Sequence, residues 1–391
     1  MKRLTTPFPE GAAVKEWKAA GGRVVGYTGL AVPEEIIHAA RMLPFRISGD
    51  NEPVSLREAE ACMLPNTSSV ARTLLQMALD GRYDFLDGVV VSVVNEGARR
   101  LVDNWRMYAP PPYMDVIFLP LKRTDEARAL YLADLEDWRS RLSELRGAYI
   151  VDRDLRRAIE VYNRGRDLLQ KLYALRRRDR PPVTGAETLE VVKAATRMPR
   201  EAFNDLLEQL LAEIESTGRE VRKSRRLMIV GSELQNSTWI EALEELDAVV
   251  VTDELCTGTR YCFGKVDASL PPLEALARYY LFARSPSARV WPAGERFRHI
   301  FAMAGRYKVD GVVSQIQRYD AEYGHDKMFL KKEMDERGIP ILELDVDYGD
   351  GRSAQLTARF EAFMEELEGR AAARVARTPL RRQRKGRLAC S

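Results

Sequence analysis

The sequence is poor in the residues that hold metals or staple small folds. It has four cysteines and three histidines in 391 residues, which is no disulfide framework. The motifs H-E-x-x-H, C-x-x-C and C-x-x-C-H are missing. Cys256 and Cys262 have five residues between them, not the two to four of a zinc knuckle. His38, His299 and His325 are scattered over predicted helices or their starts and read as surface or packing residues. Neither G-x-G-x-x-G nor G-x-x-x-x-G-K-[ST] stands at a strand–helix junction, so nucleotide binding of either kind has no support. Apolar runs are short. "VIFLPL" (116–121) falls far below the roughly 20 residues of a membrane span. The opening "MKRLTTPFPEG" has no apolar stretch after its basic residues, so no signal peptide is expected. These absences point to a cytoplasmic protein with reduced thiols.

What is there suits a folded chain of several domains. It is 45% hydrophobic and 30% charged, and its length suggests two or three domains. The net charge of +3 conceals an asymmetry. Residues 370–387 carry eight Arg and Lys and no acid. A basic tail can meet nucleic acid or an anionic surface. Without interleaved aromatics for base stacking, it reads as a disordered, solvated extension.

Short apolar strands alternate with amphipathic helices over the first 150 residues. "RVVGYTG" (23–29), "PFRISG" (44–49), "GVVVSVV" (88–94) and "DVIFLP" (115–120) read as strands. Pro33 and two acids open the first intervening helix. Residues 124–146 and 151–217 read as helical. There Leu155, Ile159, Tyr162, Leu168, Leu169, Leu172 and Leu175 form one stripe. Alternation restarts with "RLMIVG" (226–231), "AVVVTD" (248–253), "VDGVVSQIQ" (309–317) and "GIPILELDVD" (338–347). A last helix is expected over about 352–368.

Strands alternating with helices imply parallel sheets covered on both faces. The two halves also echo one another as strand, Gly turn, helix, strand, acid. The expected fold class is therefore α/β: two similar doubly wound parallel-sheet domains, Rossmann-like or flavodoxin-like, joined by an all-helical segment. The expected boundaries are 12–150, 151–224 and 225–369, followed by the tail 370–391. Ligands of such sheets sit at the carboxyl ends of strands. Here those ends are the loops at 28–32, 94–97, 231–237, 253–262 and 315–325. Within "TDELCTGTRYC" (252–262), Cys256 reads equally as a small packed side chain or as part of a ligand loop. In the ligand reading, Gly258 lets the backbone approach closely. Arg260 offers a fork for a phosphate or carboxylate, and Thr257 and Tyr261 flank it.

Five segments in order resemble the 2-hydroxyacyl-CoA dehydratase and benzoyl-CoA reductase family, over about residues 12–368. They are "GYTGLAVPEEIIHAARMLPFRISGD"; "ALDGRYDFLDGVVV" with "RRLVDNWR"; "AIEVYNRGRDLLQKLYALRRRDRPPVTGAE"; "RLMIVGSEL" with "VVVTDELCTGTRY"; and "VDGVVSQIQRYD" with "LKKEMDERGIPILELDVD". The resemblance implies a heterodimer of two related subunits with [4Fe-4S] clusters. It also implies an ATP-hydrolysing iron–sulfur activator and an acyl-CoA substrate. In such enzymes the thioester is either dehydrated through a ketyl radical anion or its attached aromatic ring is reduced.

The chain departs from that pattern where the family keeps its three cluster cysteines. "LPNTSSVAR" puts Ser68 at the first, "SVVNEGARR" puts Asn95 and Glu96 at the second, and "IQRYDAE" puts Tyr319 at the third. Arg41 also stands where a glycine helix cap is usual. A divergent member follows, expected to hold no cofactor of its own and to act beside a cluster-bearing partner subunit. Ser68, Asn95, Glu96 and Tyr319 would line the vacated space. Two other readings stay open. One is an active subunit whose cluster recruits Cys62, Cys256 and Cys262. The other is a non-catalytic acyl-CoA-binding or regulatory relative.

Overall fold

The computed structural model describes residues 11–49, 54–284 and 294–377. Its first unit runs α1 (Ala12–Ala19), β1 (Val24–Tyr27), α2 (Glu34–Ala39), β2 (Leu43–Arg46), α3 (Arg57–Cys62), α4 (Ser69–Leu79), β3 (Gly88–Ser92), α5 (Glu96–Tyr108), β4 (Met114–Ile117) and α6 (Asp125–Arg146). The helical stretch is α7 (Asp152–Leu175), α8 (Gly185–Ala195) and α9 (Arg200–Thr217). The second unit runs β5 (Arg225–Gly231), α10 (Ser237–Glu244), β6 (Ala248–Glu254), α11 (Thr259–Cys262), α12 (Pro272–Arg278) with a π-helical turn (Tyr279–Ala283), α13 (Gly294–Arg306), β7 (Gly311–Gln317), α14 (Ala321–Glu336), β8 (Ile341–Val346) and α15 (Ala354–Arg377).

The strands form two four-stranded, all-parallel sheets. Their orders, β2-β1-β3-β4 and β6-β5-β7-β8, are the same. This is the doubly wound α/β architecture read from the alternation. Each sheet has a core on both faces, which is why β3 and β6 carry continuous β-branched runs rather than alternating ones. In the first sheet, Val25, Tyr27, Val90 and Ile117 face one core. Val24, Phe45, Val89 and Val91 face the other. In the second, Leu227, Ile229, Val250 and Val313 oppose Met228, Val230, Val251 and Val312.

Chain order and core membership part company in three places. Val266, Leu273, Leu276 and Tyr280, from the second half, complete the core beneath the first sheet. Tyr348, just after β8, joins the first sheet's other core. Conversely, Ala186 and Leu189 of α8 pack on the second sheet. The last helix extends to Arg377, beyond its expected end near 368. The rest of the basic tail, with Cys390, lies outside the described residues. Among those residues no helix is long and apolar enough to cross a membrane.

Candidate functional site

The carboxyl ends of the two sheets face one another across a cavity of about 230 Å³. Thr28–Ala31 follow β1, Ile47 follows β2, Ser92, Val94 and Asn95 close β3 and Leu119–Leu121 follow β4. From the second sheet come Glu233, Cys256, Gln317 and Asp320. The strand exits are built alike. Thr28 Oγ1 accepts the Ser92 amide at 3.0 Å, and Ser232 Oγ accepts the Gln317 amide at 3.1 Å. Three residues further on, Asn95 caps α5 by accepting the Ala98 amide, and Asp320 caps α14 by accepting the Tyr323 amide. The duplicated fold thus presents two equivalent helix N-termini to one cavity, and Ser68 at the start of α4 adds a third. Free backbone N–H groups and aligned dipoles make such a place favourable for a carbonyl oxygen or an anion.

Charged side chains of both signs line the cavity. Arg284 lines the cavity with its guanidinium stacked on Tyr280 and Tyr279, 4.8 and 5.6 Å from the ring centres. It donates to the carbonyls of Leu30 and Tyr261, and no carboxylate lies within ion-pair distance among the described residues. Tyr280 in turn donates to Glu35 at 2.8 Å. On the other wall, Arg46 donates to Glu233 at 2.6 Å and to the Cys256 carbonyl at 2.8 Å. Burial works to raise the Glu233 pKa. Arg46, Gln235 and Tyr348 outweigh it and hold the carboxyl below its usual range. Asp320 goes the other way, because burial outweighs the Ser232 hydroxyl.

The residues singled out in sequence are distributed as follows. Ser68 and Asn95 line the cavity and are neighbours. A Cβ on Gly97, between α5's cap and its first turn, would come within 2.9 Å of Ser68 Cβ. The Tyr319 turn joins them, since the Ser69 amide donates to the Arg318 carbonyl at 3.4 Å. Tyr319 has a φ of 65° and a 56% exposed side chain. Glu96 is exposed and pairs with Arg100 at 2.8 Å instead of facing the cavity.

Cys256 and Arg260 also line the cavity. Burial, and then Glu233, push the Cys256 thiol up to about 11. Arg260 spends one arm of its fork on the Tyr323 hydroxyl. Thr257 donates to the Leu234 carbonyl at 2.7 Å and borders a separate, water-sized void. The backbone approach at Gly258 serves Asp253, not a ligand: a Cβ there would stand 1.8 Å from the Asp253 carboxylate. Tyr261 is buried among the helices, donating to Glu34 at 3.1 Å and accepting from Arg200 at 2.6 Å.

The three thiols named for an alternative cluster do not converge. Cys62 ends α3 and Cys262 packs among Leu168, Phe203 and Leu207. Among the described residues, no three His, Cys, Asp or Glu are placed to hold a metal ion. Of the histidines, His38 pairs with Glu201 at 3.1 Å, His299 packs edge-on to Phe263, and His325 is exposed. Sequence reading passed over Glu233, Tyr280, Arg284, Asp320 and Tyr323. The first and last two lie in flagged strand-exit loops or next to them. Tyr280 and Arg284 follow a helix whose allegiance to the first sheet leaves no mark on its own sequence.

Fold and site together define an α/β protein with a crevice between the carboxyl ends of two parallel sheets. Within that class the family is clear. Residues 30–367 match the family described as 2-hydroxyglutaryl-CoA dehydratase, D-component, and the chain belongs to it. It is 25% identical to a benzoyl-CoA reductase subunit from Thauera aromatica, covering 91% of this chain and 94% of that one. It is 24% identical to the (R)-phenyllactyl-CoA dehydratase beta subunit of Clostridium sporogenes, over 92% and 96%. It is also 24% identical to the beta subunit of (R)-2-hydroxyglutaryl-CoA dehydratase from Acidaminococcus fermentans, over 90% and 94%.

Proposed function

We propose that this chain is a subunit of a dehydratase- or reductase-type assembly acting on an acyl-CoA thioester, and that it works without an iron–sulfur cluster of its own. A related, cluster-bearing subunit would be its partner, and an ATP-dependent iron–sulfur activator would supply the electron to that partner. One observation carries the reading. Of the three positions that resemble the family's cluster ligands, Ser68 and Asn95 line the cavity and Tyr319 lies in a turn bonded to the start of α4; they offer a hydroxyl, a carboxamide already used as a helix cap, and an exposed phenol. Such clusters require soft thiolates. The thiol that lines the cavity, Cys256, is held neutral at pH 7 and bonded to Arg46 and Glu233. The residues present do not fit the cluster.

What the chain's own residues offer is a place for a thioester. The helix N-termini at Ser68, Asn95 and Asp320 and the Arg284 guanidinium favour a carbonyl oxygen that gains negative charge. The test is anaerobic purification of the chain alone and with a related subunit that has the three cysteines, followed by iron and acid-labile sulfide assays. Cluster is expected only in the second preparation, with turnover dependent on activator and ATP. A stoichiometric cluster in the isolated chain overturns the proposal. Thioester binding without turnover in the complete mixture identifies a regulatory subunit instead.

A further inference from the structure

The small void bordered by Thr257 lies where the first sheet, the helical stretch and the second sheet meet. Its lining includes Arg46 and Ser48 from β2 and its exit, Lys193 and Thr196 from α8 and its cap, and Gln235 and Thr257 from the exit loops of the second sheet. Its volume of about 10 Å³ suits a single water. Two atoms of these residues are buried without a partner among the described residues. Arg46 Nε can only donate, and Gln235 Oε1 can only accept. The two residues are 2% and 4% exposed. The Gln235 amide cannot turn round to relieve its oxygen. Its Nε2 donates to Glu233 Oε1 at 2.6 Å, where an oxygen would face an oxygen.

The two unmet atoms are the ends of one interrupted ring. Arg46 Nη2 donates to Glu233 Oε2 at 2.6 Å, and Gln235 holds the other oxygen of the same carboxylate. Nε and Nη2 share an edge of the planar guanidinium, so the gap lies between Arg46 Nε and Gln235 Oε1. A cation there would meet Arg46 and Lys193, and an anion would meet the Gln235 oxygen. The gap calls for a neutral species that accepts from one side and donates to the other. We propose that this void is a site for one ordered water, which closes the ring Arg46–Glu233–Gln235 and makes Gln235 a positioning residue for Glu233. Gln235 is not among the residues lining the large cavity, but Glu233 is. The water fixes the far end of the Gln235 amide, and the near end fixes the cavity carboxylate, which also accepts from Tyr348 at 2.9 Å. Because Arg46 belongs to the first sheet, the ring ties the two cavity walls together. The inference is independent of the thioester reading.

The test is a crystal structure of the full chain at a resolution that shows ordered solvent, with water–protein NOEs recorded on the labelled chain in solution. One water is expected at about 2.7–3.2 Å from both Arg46 Nε and Gln235 Oε1, with a water cross-peak at the Arg46 Nε–H. Gln235→Met keeps the length of the side chain and removes its amide. The cross-peak should weaken, and the Glu233 carboxylate should turn from its parent position. In carbon NMR titrations Glu233 should protonate at a higher pH than in the parent, because a donor to its ionised form is gone. Gln235→Ala gives the same readouts if the Met variant does not fold. A parent structure with no water bridging the two atoms, or with an ion in its place, overturns the site. A Glu233 that keeps its orientation and its titration in the variant overturns the positioning role.

Discussion

Arg41 takes the left-handed turn that a glycine would normally supply, at a φ of 60°. It follows α2, and its amide donates to the His38 carbonyl at 2.8 Å. The departure noted in the sequence is therefore not absorbed by a different turn. The geometry is kept and the strain accepted, at roughly 1–2 kcal/mol for an L side chain. Arg41→Gly should raise the unfolding free energy by about 1 kcal/mol, after the extra chain entropy of glycine is deducted. Urea denaturation checks it, and an unchanged midpoint refutes it. A second residue-scale expectation concerns Arg46, whose side chain is 2% exposed against Glu233. The folded pKa of Glu233 is lowered. Its contribution is thus present above the unfolded value of about 4.3 and lost as pH falls through the folded value. Arg46→Met strands that carboxylate and should cost about 3–5 kcal/mol at pH 7. The gap to the parent protein should narrow toward acid pH, because without Arg46 burial raises the Glu233 pKa and the carboxylate is neutralised by protonation. Guanidinium melts at the two pH values measure both.

At the scale of elements, the strands were the most legible part. Four short segments in each half became the four strands of each sheet, most plainly where a continuous apolar run such as Val89–Val91 or Val249–Val251 marks a strand buried on both faces. The loops at strand ends were legible as a ligand region for the same topological reason. The short helices α3 and α11, of six and four residues, escaped because so few residues carry no period. The allegiance of α12 escaped for a different reason: an amphipathic stripe says that a helix is buried, not against what. Leu276 is fully buried in the core under the first sheet. Leu276→Ala should cost about 2–5 kcal/mol. Hydrogen exchange through local openings should then show a greater loss of protection in β1 and β3 than in β5 and β7. Equal loss in both sheets would show that α12 does not belong chiefly to the first.

For the molecule as a whole, the exchanged pieces make the two halves interdependent. A fragment ending at 224 lacks Leu273, Leu276, Tyr280 and Tyr348 from its two cores. A fragment beginning at 225 lacks Ala186 and Leu189. Neither should give a cooperative melt or dispersed amide spectrum alone, whereas the full chain should unfold in one transition. A stable 1–224 fragment would contradict this.

The placement of α12 also matters while the protein is being made. The strands of the first sheet are complete once Ile117 has left the ribosome, but the helix that seals one of its faces ends its work at Tyr280. At about 10 residues per second, those roughly 160 residues take on the order of 16 seconds. Through that interval Val25, Tyr27, Val90 and Ile117 wait with part of their cover still unsynthesised. A nascent chain in that condition is a natural client for a chaperone that holds apolar surface until translation catches up.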